Sequence, residues 1–177
     1  MIQLPTHRYG LIFRLVEEND AAFILGMRTN PKLSRHVSPV ENDLDAQKSW
    51  ICNYKQREAR AEEYYFLYTD MQNQPLGVFR LYNIDGATVT SGSWLAERDN
   101  NALDSIKADL FLTSIIFEEL NFECCMIDVR KENKKLVRYH KMFFTQTGED
   151  EQNIYLEMRR EGYMRKHKFL TDIIDPK

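Results

Sequence analysis

Apolar and polar positions recur along the chain with periods that mark out most of its regular elements. Residues 11–16, Leu-Ile-Phe-Arg-Leu-Val, read as a first strand. Asn19 and Asp20 then offer an N-cap to a short helix carrying Ala22, Phe23 and Leu25. That helix is expected to stop near Thr29-Asn30-Pro31, because proline disfavours helix in the residue before it. Residues 32–42, with His36, Ser38 and Pro39, read as a loop. A longer polar helix follows over residues 43–61, with an approximate stripe of Leu44, Trp50, Ile51 and Tyr54. The aromatic run 64–69 reads as a strand, residues 70–75 as a turn, and residues 76–82 as the partner strand of a hairpin. A second turn at 83–86 leads into a strand over 87–96 and a polar loop over 97–101.

The clearest helix comes next, because Ile106, Leu110, Thr113, Phe117 and Leu120 share one face. The apolar run 124–129 reads as a buried strand, and Asn133 caps a helix over 134–144. Ile154, Leu156 and Met158 alternate as a late strand. Strand, two helices, three antiparallel strands, then helix, strand, helix and strand make an α/β fold with a mixed sheet. This order does not fit a doubly wound parallel fold.

Composition narrows the class. The 177 residues are 43% apolar and 29% charged, as expected of one globular domain able to bury a core without cross-links. No run approaches the roughly 18 apolar residues of a membrane span. The opening residues lack the pattern of a secretory leader, so a cytoplasmic location is expected. A net charge of −3 argues against nucleic acid as a partner. Residues 159–168 are locally basic and read as a solvated segment, with a dock for an anionic group as the sharper alternative. Cys52, Cys124 and Cys125 form no disulfide framework, and with no Cys-x-x-Cys or His-x-x-x-His spacing no metal site is expected.

Four stretches carry a more specific signal. They are Arg14-Leu-Val-Glu-Glu-Asn-Asp20 with Ala-Ala-Phe-Ile-Leu after it; Gln74-Pro-Leu-Gly77 with Asn83-Ile-Asp85; Gly92-Ser-Trp94-Leu95 with the later Phe117-Glu-Glu-Leu120-Asn-Phe; and Asp128-Val-Arg-Lys-Glu-Asn133 leading to Tyr139-His140-Lys-Met-Phe-Phe144. In this order they resemble the Gcn5-related N-acetyltransferase (GNAT) superfamily over nearly the whole chain. The branch they resemble most includes ribosomal-protein N-terminal and amino-sugar acetyltransferases. The resemblance implies a mixed, mostly antiparallel central sheet flanked by helices, with acetyl-CoA as co-substrate. It implies acetyl transfer to a small-molecule primary amine by direct attack on the thioester, in a monomer or homodimer.

It also implies roles for residues. The strand through Trp94, Leu95 and Ala96 would offer backbone groups to the pantetheine arm and the acyl oxygen. Arg98, Asn100, Leu103, Asp104 and Ser105 would surround the pyrophosphate at a helix start, through backbone N–H groups and the helix dipole. Asn133 would cap the helix that closes the cofactor site. His140, seven residues later, would sit near the sulfur and protonate the departing thiolate, with Tyr139 beside it. Glu97 would activate the amine directly or through water. Set against these, His140 reads equally as a packed helix histidine and Glu97 as a solvated carboxylate. The usual phosphate loop has a basic first residue and later glycines; here its positions fall on Asn100, Leu103 and Ser105. Asp99, Asp104 and Asp109 add negative charge nearby.

By the family's geometry the acceptor would meet the 32–42 loop, the second helix and residues 81–83, so His36, Tyr82 and Asn83 are candidates to line it. Residues 139–144, the Gly148-Glu149-Asp150 turn and Tyr155 resemble acetyltransferases of surface-polysaccharide sugars. A nucleotide-linked amino sugar is therefore the expected acceptor. A protein N-terminal amine, and a degenerate non-catalytic GNAT-fold binding module, stand as alternatives.

Overall fold

The structure, a computed structural model, describes residues 3–97 and 101–176. Tyr9 and Gly10, with φ of 57° and 76°, turn the chain between β1 (Thr6–Arg8) and β2 (Leu11–Leu15). Two-residue hairpin loops need such positive φ values. The other strands are β3 (Tyr64–Thr69), β4 (Pro75–Asp85), β5 (Thr88–Ala96), β6 (Cys124–Arg130), β7 (Thr145–Glu149) and β8 (Asn153–Arg159). They bond in the order β1-β2-β3-β4-β5-β6-β8-β7. The helices are α1 (Ala21–Thr29), α2 (Leu44–Ala59), α3 (Ala102–Ser114), α4 (Lys134–His140) and α5 (Arg160–Ile174). The sheet is mostly antiparallel with β5 and β6 as a parallel pair, the mixed, mostly antiparallel arrangement expected.

The chain gathers into two compact units. The N-terminal unit runs to Tyr82 and includes the end of β5 from Ser93. Its core joins Ile24 and Met27 of α1, Ile51 and Tyr54 of α2, Tyr65 and Leu67 of β3, Val78 of β4 and Leu95 of β5. Asp43 starts α2, accepting from the N–H groups of Asp45 and Ala46 at 2.9 and 3.0 Å. Asp20 does not cap α1 with its side chain. Its carboxylate instead accepts both Arg14 amino groups at 2.7 Å and the Glu17 N–H at 2.8 Å. Arg14 thus anchors the strand-to-helix turn that its sequence motif marks.

The C-terminal unit holds residues 83–92 and everything from α3 onward. The helix expected around 106–120 starts earlier, at Ala102, and widens into a π turn over Ile115–Glu119. Residues 110–117 are all buried, not one face only, because α5 covers the side a solvated helix would leave open. Phe117 stacks on Tyr163 at 4.9 Å, and Arg160 donates to the Phe117 carbonyl at 2.8 Å. The segment 159–168 keeps Arg159, Arg160, Arg165 and Lys168 exposed, as the solvated reading expects, and buries Lys166. It forms the start of an amphipathic helix whose inner face is Gly162, Tyr163, Lys166 and Leu170.

The helix capped by Asn133 is shorter than its pattern suggests, ending at His140. Phe143 and Phe144 are buried beyond it, where their N–H groups still reach the His140 carbonyl at 2.9 and 2.8 Å. Cys124 and Cys125 both lie buried on β6. Among the described residues no helix is long and apolar enough to cross a membrane.

Candidate active site

Two polar assemblies stand out, one inside each unit. In the N-terminal unit a cavity of about 200 Å³ opens among Arg28, Gln47, Trp50, Tyr65, Arg80 and Ser93, bordered by Val37, Ser38 and Val40 of the loop before α2. Arg80 is fixed on β4 by Glu63, whose buried carboxylate it meets at 2.5 Å and which Arg57 shares at 2.8 Å. The Arg80 guanidinium lies 4.9 Å from the centre of the Trp50 ring and 5.1 Å from that of Tyr82. Arg28 reaches the loop by donating to the Ser38 carbonyl at 3.0 Å. Its buried Nε and the buried Tyr65 hydroxyl each lack a hydrogen-bond partner. Arg28 is near enough to ease ionisation of the Tyr65 phenol but completes no bond of normal geometry with it. Burial dominates and pushes that phenol up to about 12, so it remains a donor.

Of the residues expected around the acceptor, Tyr82 lies under Arg80, and His36 is half-buried just before the cavity-lining Val37 and Ser38. Asn83 is exposed on β4 with a φ of 49°. Arg28, Gln47, Tyr65 and Arg80 were missed by sequence reasoning, and Trp50 was read only as part of the apolar stripe of its helix. The available signal was Arg80, a charge set among Val78, Phe79 and Leu81 of an otherwise apolar strand.

The strand expected to meet the cofactor, β5, has two unusual features. Its parallel pairing with β6 covers Thr88–Thr90. Ser93 then takes a φ of 51°, which interrupts the regular alternation of N–H and C=O groups along β5. Past that point the Trp94 ring stacks on Phe79 at 5.3 Å, and Leu95 is 3% exposed in the core. Those two side chains are therefore committed to packing within the unit. The Glu97 N–H donates to the Leu76 carbonyl at 2.8 Å. Arg98 and Asn100, with Asp99, lie outside the described residues. Leu103, Asp104 and Ser105 form the first turn of α3, all half-buried. Asp104 is partly neutralised there by Lys107 at 3.1 Å.

The second assembly lies in the C-terminal unit. Asp109 on α3 accepts from Lys166 of α5 at 2.7 Å and from the Tyr139 hydroxyl of α4 at 2.5 Å. The charge of Asp109 is thus answered within the fold. Lys166 is 1% exposed and lies over the rings of Tyr139 and Phe144, at 5.3 and 5.5 Å. Burial and then Asp109 raise the Tyr139 phenol well above its ordinary range, so it holds its proton. His140 packs edge-on to Phe144 at 5.2 Å, and its buried Nδ1 has no partner. Burial, reinforced by Lys166 and opposed by Asp109, lowers its pKa from 6.5 to about 4. Asn133 acts as a cap, accepting from the Leu136 N–H at 3.3 Å.

The sign of the His140 shift fixes a pH dependence. Unfolded chain takes up the imidazole proton below 6.5, whereas the folded protein resists until about 4. Stability from this group is therefore complete above 6.5 and declines as pH falls toward 4. Histidine NMR should place the His140 midpoint near 4; a midpoint at or above 6.5 would refute the buried neutral ring.

An acetyltransferase (GNAT) domain model matches residues 10–142, three of the four landmark stretches above and all but the final two residues of the fourth. The chain belongs to the GNAT acetyltransferase family. Members transfer acetyl groups, with acetyl-CoA as co-substrate. Among solved structures, this GNAT protein is similar to apo FdhC, described as a nucleotide-linked sugar GNAT. The two are 31% identical with a TM-score of 0.86, covering 98% of this chain and all of that one. A spermidine N-acetyltransferase from Vibrio cholerae, in complex with CoA and spermine, shares the fold at a TM-score of 0.74 and 18% identity, covering 89% and 99% of the two chains. No curated protein matches by sequence.

Among the described residues, no group of three or more His, Cys, Asp and Glu side chains is placed to hold a metal ion.

Proposed function

We propose that this GNAT protein transfers the acetyl group of acetyl-CoA to the primary amine of a nucleotide-linked amino sugar. The observation that carries this reading is the end-to-end similarity, at 31% identity, to a nucleotide-linked sugar GNAT. The cavity supports it. Its lining includes two guanidiniums and no carboxylate, the wrong charge for a polycationic amine such as spermidine.

In the reaction the amine nitrogen forms a bond to the thioester carbonyl carbon and the C–S bond breaks. The nitrogen gives up one proton, and the CoA thiolate takes one. The backbone of Trp94, Leu95 and Ala96 receives the pantetheine arm and the acyl oxygen. The first turn of α3, at Leu103, Asp104 and Ser105, meets the pyrophosphate with the positive end of the helix dipole, and the family resemblance assigns Arg98 and Asn100 to the same group. Glu97, at the end of the cofactor strand, takes the amine proton through a water. His140 contributes from its neutral form, as a hydrogen-bonding group near the sulfur. Tyr139, committed to Asp109, orients the same helix. His36, Tyr82 and Asn83 border the acceptor.

A non-catalytic binding module is the second reading, favoured by the lack of glycine at Leu103 and Ser105. Calorimetric titration with acetyl-CoA separates the two, with Ser105→Tyr to crowd the first turn of α3. Binding on the order of micromolar, lost in the variant, supports the transferase. Thiol release should then follow addition of a nucleoside-diphosphate amino sugar, and not of spermidine or a peptide with a free N-terminus. No binding at millimolar acetyl-CoA would sink the reading, and turnover of spermidine or of the peptide alone would sink its acceptor.

A further inference from the structure

The cavity of the N-terminal unit is lined mainly by groups that donate. Tyr65 and Arg28 bring a hydroxyl and an Nε–H that are buried without partners. Such orphaned donors cost free energy in the empty protein, and a ligand acceptor would recover it. Arg28 has no ion pair among the described residues, and Glu63 alone answers both Arg57 and Arg80. The assembly therefore carries more positive than negative charge. Its side chains are also held in advance. Arg80 is clamped by Glu63 and stacked over Trp50, and Arg28 is tied to the loop through the Ser38 carbonyl.

At about 200 Å³ the space is smaller than the roughly 300–1,000 Å³ of a typical ligand pocket, so it suits a fragment of the acceptor. The reacting amine is the part it suits least, since guanidiniums repel an ammonium. We infer that this cavity is an oxyanion subsite, taking the phosphate oxygens of the nucleotide-linked acceptor on Arg28, Tyr65 and Arg80. The inference rests on the acceptor proposed above and adds where its charge is read. Arg28 and Arg80 supply planar, permanently charged donors suited to phosphate. The Tyr65 hydroxyl and the Ser93 hydroxyl add neutral ones, and Gln47 supplies an amide from α2.

The test uses full-length protein saturated with acetyl-CoA, so that the adenosine diphosphate region of the co-substrate site is filled. Uridine and thymidine diphosphates, inorganic pyrophosphate and a simple carboxylate, acetate, are titrated by calorimetry. Tyr65→Phe removes only the orphaned hydroxyl, and Arg28→Gln removes the charge. Each should weaken nucleoside diphosphate binding by about tenfold or more, with acetyl-CoA affinity unchanged. Tyr65→Phe should unfold at a temperature no lower than the parent, because it deletes an unsatisfied buried group. Pyrophosphate binding with the same dependence on both residues supports the subsite as a phosphate reader. Acetate binding more tightly than either would overturn phosphate as the ligand.

Diphosphate affinity indifferent to both variants overturns the subsite, as does its absence while acetyl-CoA binds. Failure of the transferase reading looks different: acetyl-CoA does not bind, whatever the diphosphates do. If amino sugars are acetylated and Tyr65→Phe leaves the acceptor KM unmoved, the subsite alone fails.

Discussion

Lys166→Met is expected to cost about 3–5 kcal/mol of stability, the range for breaking a buried ion pair from one side. Lys166 and Asp109 are 1% and 13% exposed and meet at 2.7 Å. Removing the cation leaves the Asp109 carboxylate in the interior with only the Tyr139 hydroxyl to answer it. The methionine keeps much of the volume and the contact with the Phe144 ring, so the loss is electrostatic and not a cavity effect. Urea unfolding should show a lower midpoint, and thermal unfolding a drop on the order of 10 °C for a chain of this size. Asp109→Asn in the same background removes the stranded charge while still accepting from Tyr139, and should restore most of the loss. A single variant within 1 kcal/mol of the parent, or a double variant no better than the single, would show that the pair is not the anchor proposed.

Gly77→Ala is the second large effect, with an expected loss of about 3 kcal/mol from overpacking. A methyl group at Gly77 would strike the Tyr68 hydroxyl and the Leu95 carbonyl. The tyrosine is fully buried and packed at tilted angles among Phe13, Phe79 and Trp94, and the carbonyl belongs to the backbone of β5, so neither yields cheaply. The glycine is required by close approach, since its φ is not in the left-handed region. Because Leu95 lies on the strand assigned to the pantetheine arm, the acetyl-CoA KM should rise together with the stability loss. Differential scanning calorimetry and the KM measured on one preparation test both; an unchanged KM in a destabilised variant would detach Gly77 from the cofactor strand.

How much of this was legible in advance depended on whether a signal was local. Long stretches were readable: α2, whose start at Asp43 proved to be the cap and not the first helical residue, the β3–β4 hairpin, and the helix from Ile106. The β7 strand was invisible because Thr-Gln-Thr-Gly-Glu is a polar edge with no apolar alternation. The three-residue β1 was too short to show a period. Helix α5 was hidden by its inner face, where Gly162 and Lys166 sit at positions a hydrophobic pattern would fill with leucine. Lys166 reads as solvated until Asp109, 57 residues earlier, is brought beside it.

The candidate site divided in the same way. The cofactor strand and Asn133 lie in contiguous motifs that carry a family resemblance. The cavity is assembled from single residues on α1, α2, β3, β4 and β5, so no spacing announces it. His36 pointed to the loop that borders the cavity, because the loop position is topological. Arg28 and Tyr65 acquire meaning only through the hydrogen bonds they lack.

The cysteines have a practical consequence. Cys124 and Cys125 are buried, and burial pushes Cys125 up to about 12, while Cys52 alone is exposed. Its thiol is raised somewhat above its ordinary range by partial desolvation and by Glu18, whose carboxylate lies 3.6 Å from the sulfur. A maleimide dye in mildly alkaline solution thus has one accessible attachment point on the native protein. That point lies on the face of α2 that meets Glu18, turned away from Trp50 by the helical spacing of two residues, so the protein already holds a single labelling position on the helix that lines the cavity without occupying the cavity itself.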